Sequence, residues 1–112
     1  MAYTPFRFYH DTPGTTTTVL SAASQGTYII KQILLANSNA ASKTVTIALD
    51  VGGASGLVAS GTGANVIVPT VSIPANTVIT LDVSLVVNNT DVIRGLQETA
   101  SAITVSIHGM KF

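Results

Sequence analysis

Residues Thr77–Val87 read TVITLDVSLVV. Ile79, Leu81, Val83 and Leu85 fall on one side of an extended chain, and Thr80, Asp82 and Ser84 on the other. Side chains alternate across a strand with period two, so this stretch predicts a half-buried antiparallel strand. Residues 43–51 repeat the pattern: Val45, Ile47, Leu49 and Val51 oppose Thr44, Thr46, Ala48 and Asp50. In residues 102–111, Ile103, Val105 and Ile107 oppose Thr104, Ser106 and His108. Tyr28–Asn37 differs, with Ile29, Ile33 and Leu35 on one side and Tyr28, Ile30 and Leu34 on the other. That run predicts a strand covered on both faces.

Weaker strand signals lie at residues 5–10, 15–21, 57–60, 64–73 and 91–96. Pro69 lacks an amide donor, which makes residues 64–73 an edge strand or a broken one. Turn residues fall between these runs at Asp11-Thr12-Pro13-Gly14, Ser24-Gln25-Gly26, Gly52-Gly53, Pro74-Ala75-Asn76 and Asn88-Asn89-Thr90. Short strands punctuated in this way predict an all-β fold, a single antiparallel β-sandwich of about eight or nine strands with jelly-roll or other Greek-key topology. Val45, Ile47, Leu49, Ile79, Leu81, Leu85, Ile103, Val105 and Ile107 are its expected core.

Composition supports the same class. The chain has 112 residues, 46% of them hydrophobic, which fits one domain and argues against disorder. Glu occurs once and Lys three times, too few for the polar faces of surface helices. Charged residues are 9% and the net charge is zero, so no basic surplus exists to neutralise nucleic-acid phosphates. With no cysteine, disulfides, zinc-thiolate sites and cysteine nucleophiles are excluded. The first ten residues lack the basic and apolar regions of a signal peptide. No apolar run approaches the ~20 residues of a membrane helix. The expectation is synthesis and folding in the cytosol, with no membrane or nucleic-acid partner.

The polar residues give no catalytic pattern. Asp11, Asp50 and Asp91 stand in or beside turns, Asp82 on the polar face of its strand, and all the acids read as turn formers or solubilising groups. His10 and His108 lie far apart with no metal-ligand spacing, and His108 reads as a surface or interface histidine. The glycines of residues 52–63 lack the lysine and following helix of a phosphate loop. Asn88-Asn89-Thr90 matches a glycosylation acceptor formally and reads as the turn before Asp91. The Thr15–Thr18 run points to both faces of a strand and forms no flat ladder. No enzyme activity, cofactor or metal is expected.

Residues 1–14 hold two of the three Phe, two of the three Tyr and two of the four Pro. They read as an N-terminal arm, with residues 15–112 as the sandwich. The arm docks on its own sandwich or on a neighbour, and Phe6, Phe8 and Tyr9 are its candidate interface residues. Removing residues 1–10 is expected to leave a folded sandwich that no longer assembles.

Several segments carry a resemblance: Ile33-Leu34-Leu35-Ala36-Asn37-Ser38, Thr44 to Leu49, Val71-Ser72-Ile73-Pro74-Ala75-Asn76, Leu81 to Val87, Asp91-Val92-Ile93-Arg94-Gly95 and Ala102 to Gly109. Together they resemble the small β-sandwich virion proteins of tailed bacteriophages, of the head-decoration, cement and tail-accessory kinds. The likeness runs from about Thr15 to the end and leaves the aromatic start outside it. It implies a structural, non-enzymatic protein located in the virion, with a capsid decoration or cement role foremost. The expected partners are its own copies, as a homo-oligomer with a trimer favoured, and the major capsid protein or other virion proteins. A tail or head-fibre accessory protein is the alternative, and a glycan or cell-surface binding module the rival from another class.

Overall fold

The computed structural model describes residues 4–16, 18–22, 26–53 and 66–112. The described residues form eight strands: β1 (Thr4–Asp11), β2 (Thr18–Ala22), β3 (Tyr28–Asn37), β4 (Lys43–Asp50), β5 (Val66–Ile73), β6 (Thr77–Val87), β7 (Val92–Gln97) and β8 (Ile103–Lys111). Sheet A runs β1-β8-β3-β6 and sheet B runs β2-β7-β4-β5. Every neighbouring pair is antiparallel. Of the described strands taken in succession, only β4 and β5 lie in the same sheet, and every other successive pair lies in opposite sheets. Two interleaved four-stranded sheets in this order are a jelly roll. The fold class expected from the sequence is therefore the observed one. The strand expected at residues 57–60 lies outside the described residues.

The core lies between the sheets. Ile30, Ile33 and Leu35 of β3, Val45 and Ile47 of β4, and Ile103, Val105 and Ile107 of β8 are essentially without solvent contact. Ile73, Val87 and Ile93 join them from β5, β6 and β7. Of the expected core, Leu49, Ile79, Leu81 and Leu85 pack against this cluster but are only partly buried. The last three belong to β6, an edge strand of sheet A, where among the described residues no further strand closes the gap between the sheets.

Two expectations need correction. First, Tyr28–Asn37 is not covered on both faces. Tyr28, Ile30, Ile33, Leu35 and Asn37 are all buried, while Lys31 and Gln32 are both exposed. The register of β3 shifts between Ile30 and Gln32 against both neighbours. An extra residue in a strand reverses the parity of all that follows, so two apparent faces become one. Second, residues 1–14 are not an arm apart from the sandwich. Residues 4–11 are β1, which pairs with β8 from Thr4↔Lys111 to Asp11↔Val105. The expectation that residues 1–10 can be removed without harm to the fold falls with it, because β8 would lose a neighbour and the core a phenylalanine.

Pro69 sits as expected on an edge strand, β5, whose pairing with β4 shifts register twice, between Val45 and Ile47 and between Ile47 and Ala48. The missing donor faces no ladder partner that must be satisfied there.

Buried amides hold the ends of the sandwich. Gln97 is 1% exposed, and its Nε2 donates to the carbonyls of Pro13 and Ile103. Its Oε1 accepts from the Ile103 N–H at 2.7 Å. Asn37 donates to the carbonyls of Ala41, Ile73 and Pro74 and accepts from the Asn39 N–H. These side chains satisfy backbone groups that the strands leave behind as they turn.

Candidate assembly interface

Phe6, Phe8 and Tyr9, the candidate interface residues, come from β1. The register of β1 against β8 shifts between Arg7 and Tyr9, so Phe8 is the extra residue of a bulge. Phe8 faces inward like Phe6 two residues before it and is 8% exposed, and the bulge brings Tyr9 to the same side, opposite Ile107. The Phe8 ring meets Phe6 edge-on at 4.9 Å between centroids and Tyr28 at 5.8 Å. Phe6 and Tyr9 are half-buried against the same core. The expectation that these rings cover a neighbour is therefore corrected for Phe8, which packs in its own sandwich. Phe6 and Tyr9 keep part of their surface.

Burial pushes the Tyr9 phenol above its usual range, with the Asp11 carboxylate adding to the effect. A raised folded-state value means that this contribution to stability is complete below the unfolded value, near pH 10, and is lost as pH climbs through the folded one. Tyr9→Phe should therefore flatten the alkaline limb of a stability profile while leaving neutral pH almost unchanged. Parallel alkaline limbs in the two proteins would refute this.

The outer face of sheet A is striped by residue type. Pro5, Met110, Ile29 and Val86 lie side by side across the four strands as an apolar row. Next come Arg7, His108, Gln32 and Asp82, then His10, Ser106, Leu34 and Thr80. Val78 and Val86 are more than half exposed. Lys31 on the bulge donates to Ser84 Oγ at 2.9 Å.

The two histidines meet on this face, which the sequence reading did not foresee. His10 Nδ1 lies 3.0 Å from Ser106 Oγ, and His108 Nε2 contacts the same hydroxyl. One hydroxyl has two acceptor lone pairs and one proton, so it can serve both rings. Ser106 is 4% exposed, and its hydroxyl lies between the two imidazoles. The trio clasps β1 to β8. Among the described residues no group of three or more His, Asp or Glu could hold a metal ion.

The acids behave largely as turn residues. Asp11 Oδ1 accepts from the Thr12 N–H. Asp91 accepts from the Gly52 and Asn88 N–H groups, one on each oxygen, and so ties two loops together. Glu98 accepts from the Thr44 N–H at 2.8 Å. Asp50 departs from expectation: it is wholly buried on the outer side of β4 and paired with Arg94 of β7. Thr46, on the same side of β4 with Ala48 between them, bonds Thr70 across to β5. Side-chain pairs thus tie strands on both outer faces, and that of sheet A also presents accessible rows.

Comparison with protein-family models, curated proteins and solved structures gives no match.

Proposed function

We propose that the chain is a non-enzymatic structural protein of a tailed-phage virion, a capsid decoration or cement protein that binds the outer surface of the head as a homo-oligomer. The jelly-roll strand order supports this reading, an argument by fold analogy that joins the sequence resemblance. The physical support is the outer face of sheet A. It carries an apolar row and neutral polar side chains across four strands, with Arg7, Lys31 and Asp82 among them, in a chain whose net charge is zero. Such a surface gives a free monomer little electrostatic protection from association, and a lattice of neighbours would cover it. Neutral hydrogen-bonding groups such as Thr80, Thr104 and Gln32 are also little disturbed by salt.

The test is mass spectrometry of purified particles, with copy number counted against the major capsid protein. A fixed stoichiometric ratio set by capsid symmetry is expected. Absence from particles overturns the reading, and a copy number set by the tail moves the protein to the alternative accessory role.

A further inference from the structure

We propose that the free edge of β6 is a dimerisation edge, on which a second copy of this chain pairs antiparallel about a two-fold axis at Val83. The inference deepens the homo-oligomer reading above and replaces the trimer favoured from the sequence with a pair.

A jelly roll of two open sheets has four edge strands, among the described residues β1, β6, β2 and β5. Exposed edges invite pairing with other chains, and proteins blunt them with proline, bulges, short length or charge. β1 carries Pro5 and the Phe8 bulge. β2 is five residues long with a register shift between Val19 and Ser21. β5 carries Pro69 and two register shifts. β6 runs for eleven residues with no proline, no glycine and one charged side chain. Its pairing with β3 shifts register once, with Val83 and Ser84 both opposite Lys31, yet its burial alternates without a break.

The inward row of β6 is also unfinished. Ile79, Leu81, Val83 and Leu85 are each only partly buried. Ile79 and Leu81, with Leu35, Ile67, Val68 and Val71, line an apolar cleft that opens between β5 and β6. A strand added to sheet A here would continue the inner face and cover these side chains.

Self-pairing is favoured by its register. With the axis at Val83, Leu81 lies opposite the partner's Leu85, and Ile79 opposite the partner's Val87. The inner row is then apolar throughout. On the outer row, Asp82 lies opposite the partner's Ser84. Lys31 is already held at Ser84 by its 2.9 Å hydrogen bond, and so stands where the partner's Asp82 arrives. The axis makes this contact twice. Moving the axis to Asp82 would set the two Asp82 carboxylates against each other, which like-charge repulsion opposes, and moving it to Ser84 would place Asp82 opposite the partner's Val86, away from the Ser84 that holds Lys31.

The chain has no cysteine, so single cysteines report register without background. Directly opposed residues in an antiparallel pair have Cα atoms roughly 4.5–5.5 Å apart, within disulfide range. Oxidised Val83→Cys should run as a covalent dimer on non-reducing gels, and Asp82→Cys should not. In sedimentation equilibrium the natural chain should dimerise. Lys31→Glu and Asp82→Lys should each weaken the dimer by about tenfold or more, and the double variant should recover most of that loss. Circular dichroism confirms that each variant is folded. A monomeric natural chain, a folded Val83→Cys that fails to cross-link, cross-linking at Asp82→Cys instead, or a double variant that does not recover would each overturn the proposal. A dimer that is absent from virions leaves this inference standing and overturns the virion reading.

Discussion

Gly109→Ala should fail to give a folded sandwich, seen as loss of the cooperative melting transition. Gly109 lies in β8, opposite Ile30 of β3 and Phe6 of β1. A Cβ there would sit 1.8 Å from the Ile29 carbonyl oxygen and 3.0 Å from the Ile30 Cα. Both are backbone atoms of a paired strand and cannot swing aside as the tip of a flexible side chain could. Relief requires β3 and β8 to part in the middle of sheet A. The cost then approaches the whole stability of a small domain, about 5–15 kcal/mol. Gly52→Ala is the control. Gly52 has φ of +71° but meets nothing within 4 Å, so alanine costs only the left-handed conformation, about 1–2 kcal/mol. A Gly109→Ala protein melting as the Gly52→Ala protein does would show that the strands can separate cheaply.

Ile103→Ala should cost about 2–5 kcal/mol, and Leu81→Ala clearly less. Both are aliphatic residues of sheet A that face the core. Ile103 is 0% exposed, and its backbone N–H is held by Gln97, so the chain around it cannot easily collapse into the space left behind. A cavity that cannot relax adds to the lost transfer energy. Leu81 lines the open cleft beside β5, where truncation widens a groove already in contact with water. The comparison belongs at concentrations where the chain is monomeric, since a partner strand would bury Leu81. Equal losses for the two variants would mean that the β6 side of the sandwich is as closed as its centre.

The strands were legible because their alternation is local. Thr77–Val87 and the run through Ile103, Val105 and Ile107 announce their faces without any knowledge of the partner strand. Pro69 announced an edge for an equally local reason, the lack of a donor. What the sequence hid was long-range or a matter of parity. Lys31 and Gln32 look like one more step of alternation, and only the neighbouring strands reveal that the face has switched. Leu81 and Leu85 show a core pattern as clear as that of Ile107, but strand order, not pattern, decides which strand stands at the rim. The aromatic start looked like an arm because Phe8 sits in a bulge and its strand partner lies at the far end of the chain. His10 and His108 looked unrelated for the same reason. Asp50 looked like a turn acid because Arg94, its counter-charge, is supplied by β7.

The placement of β8 between β1 and β3 also orders events during synthesis. Among the described strands β1 is made before the other seven, yet the one it pairs with is β8, made after them. Until β8 leaves the ribosome, sheet A consists of β3 and β6, and Phe6, Phe8 and Tyr28 have no finished core to enter. Nearly every pairing joins segments distant in sequence, a topology that folds slowly because chain entropy is lost before contacts repay it. The nascent chain therefore carries β1 as an unpaired aromatic strand until the segment that forms β8 has been made. That interval, more than any state of the finished protein, is when it is most exposed to aggregation and most dependent on whatever shelters it in the cell.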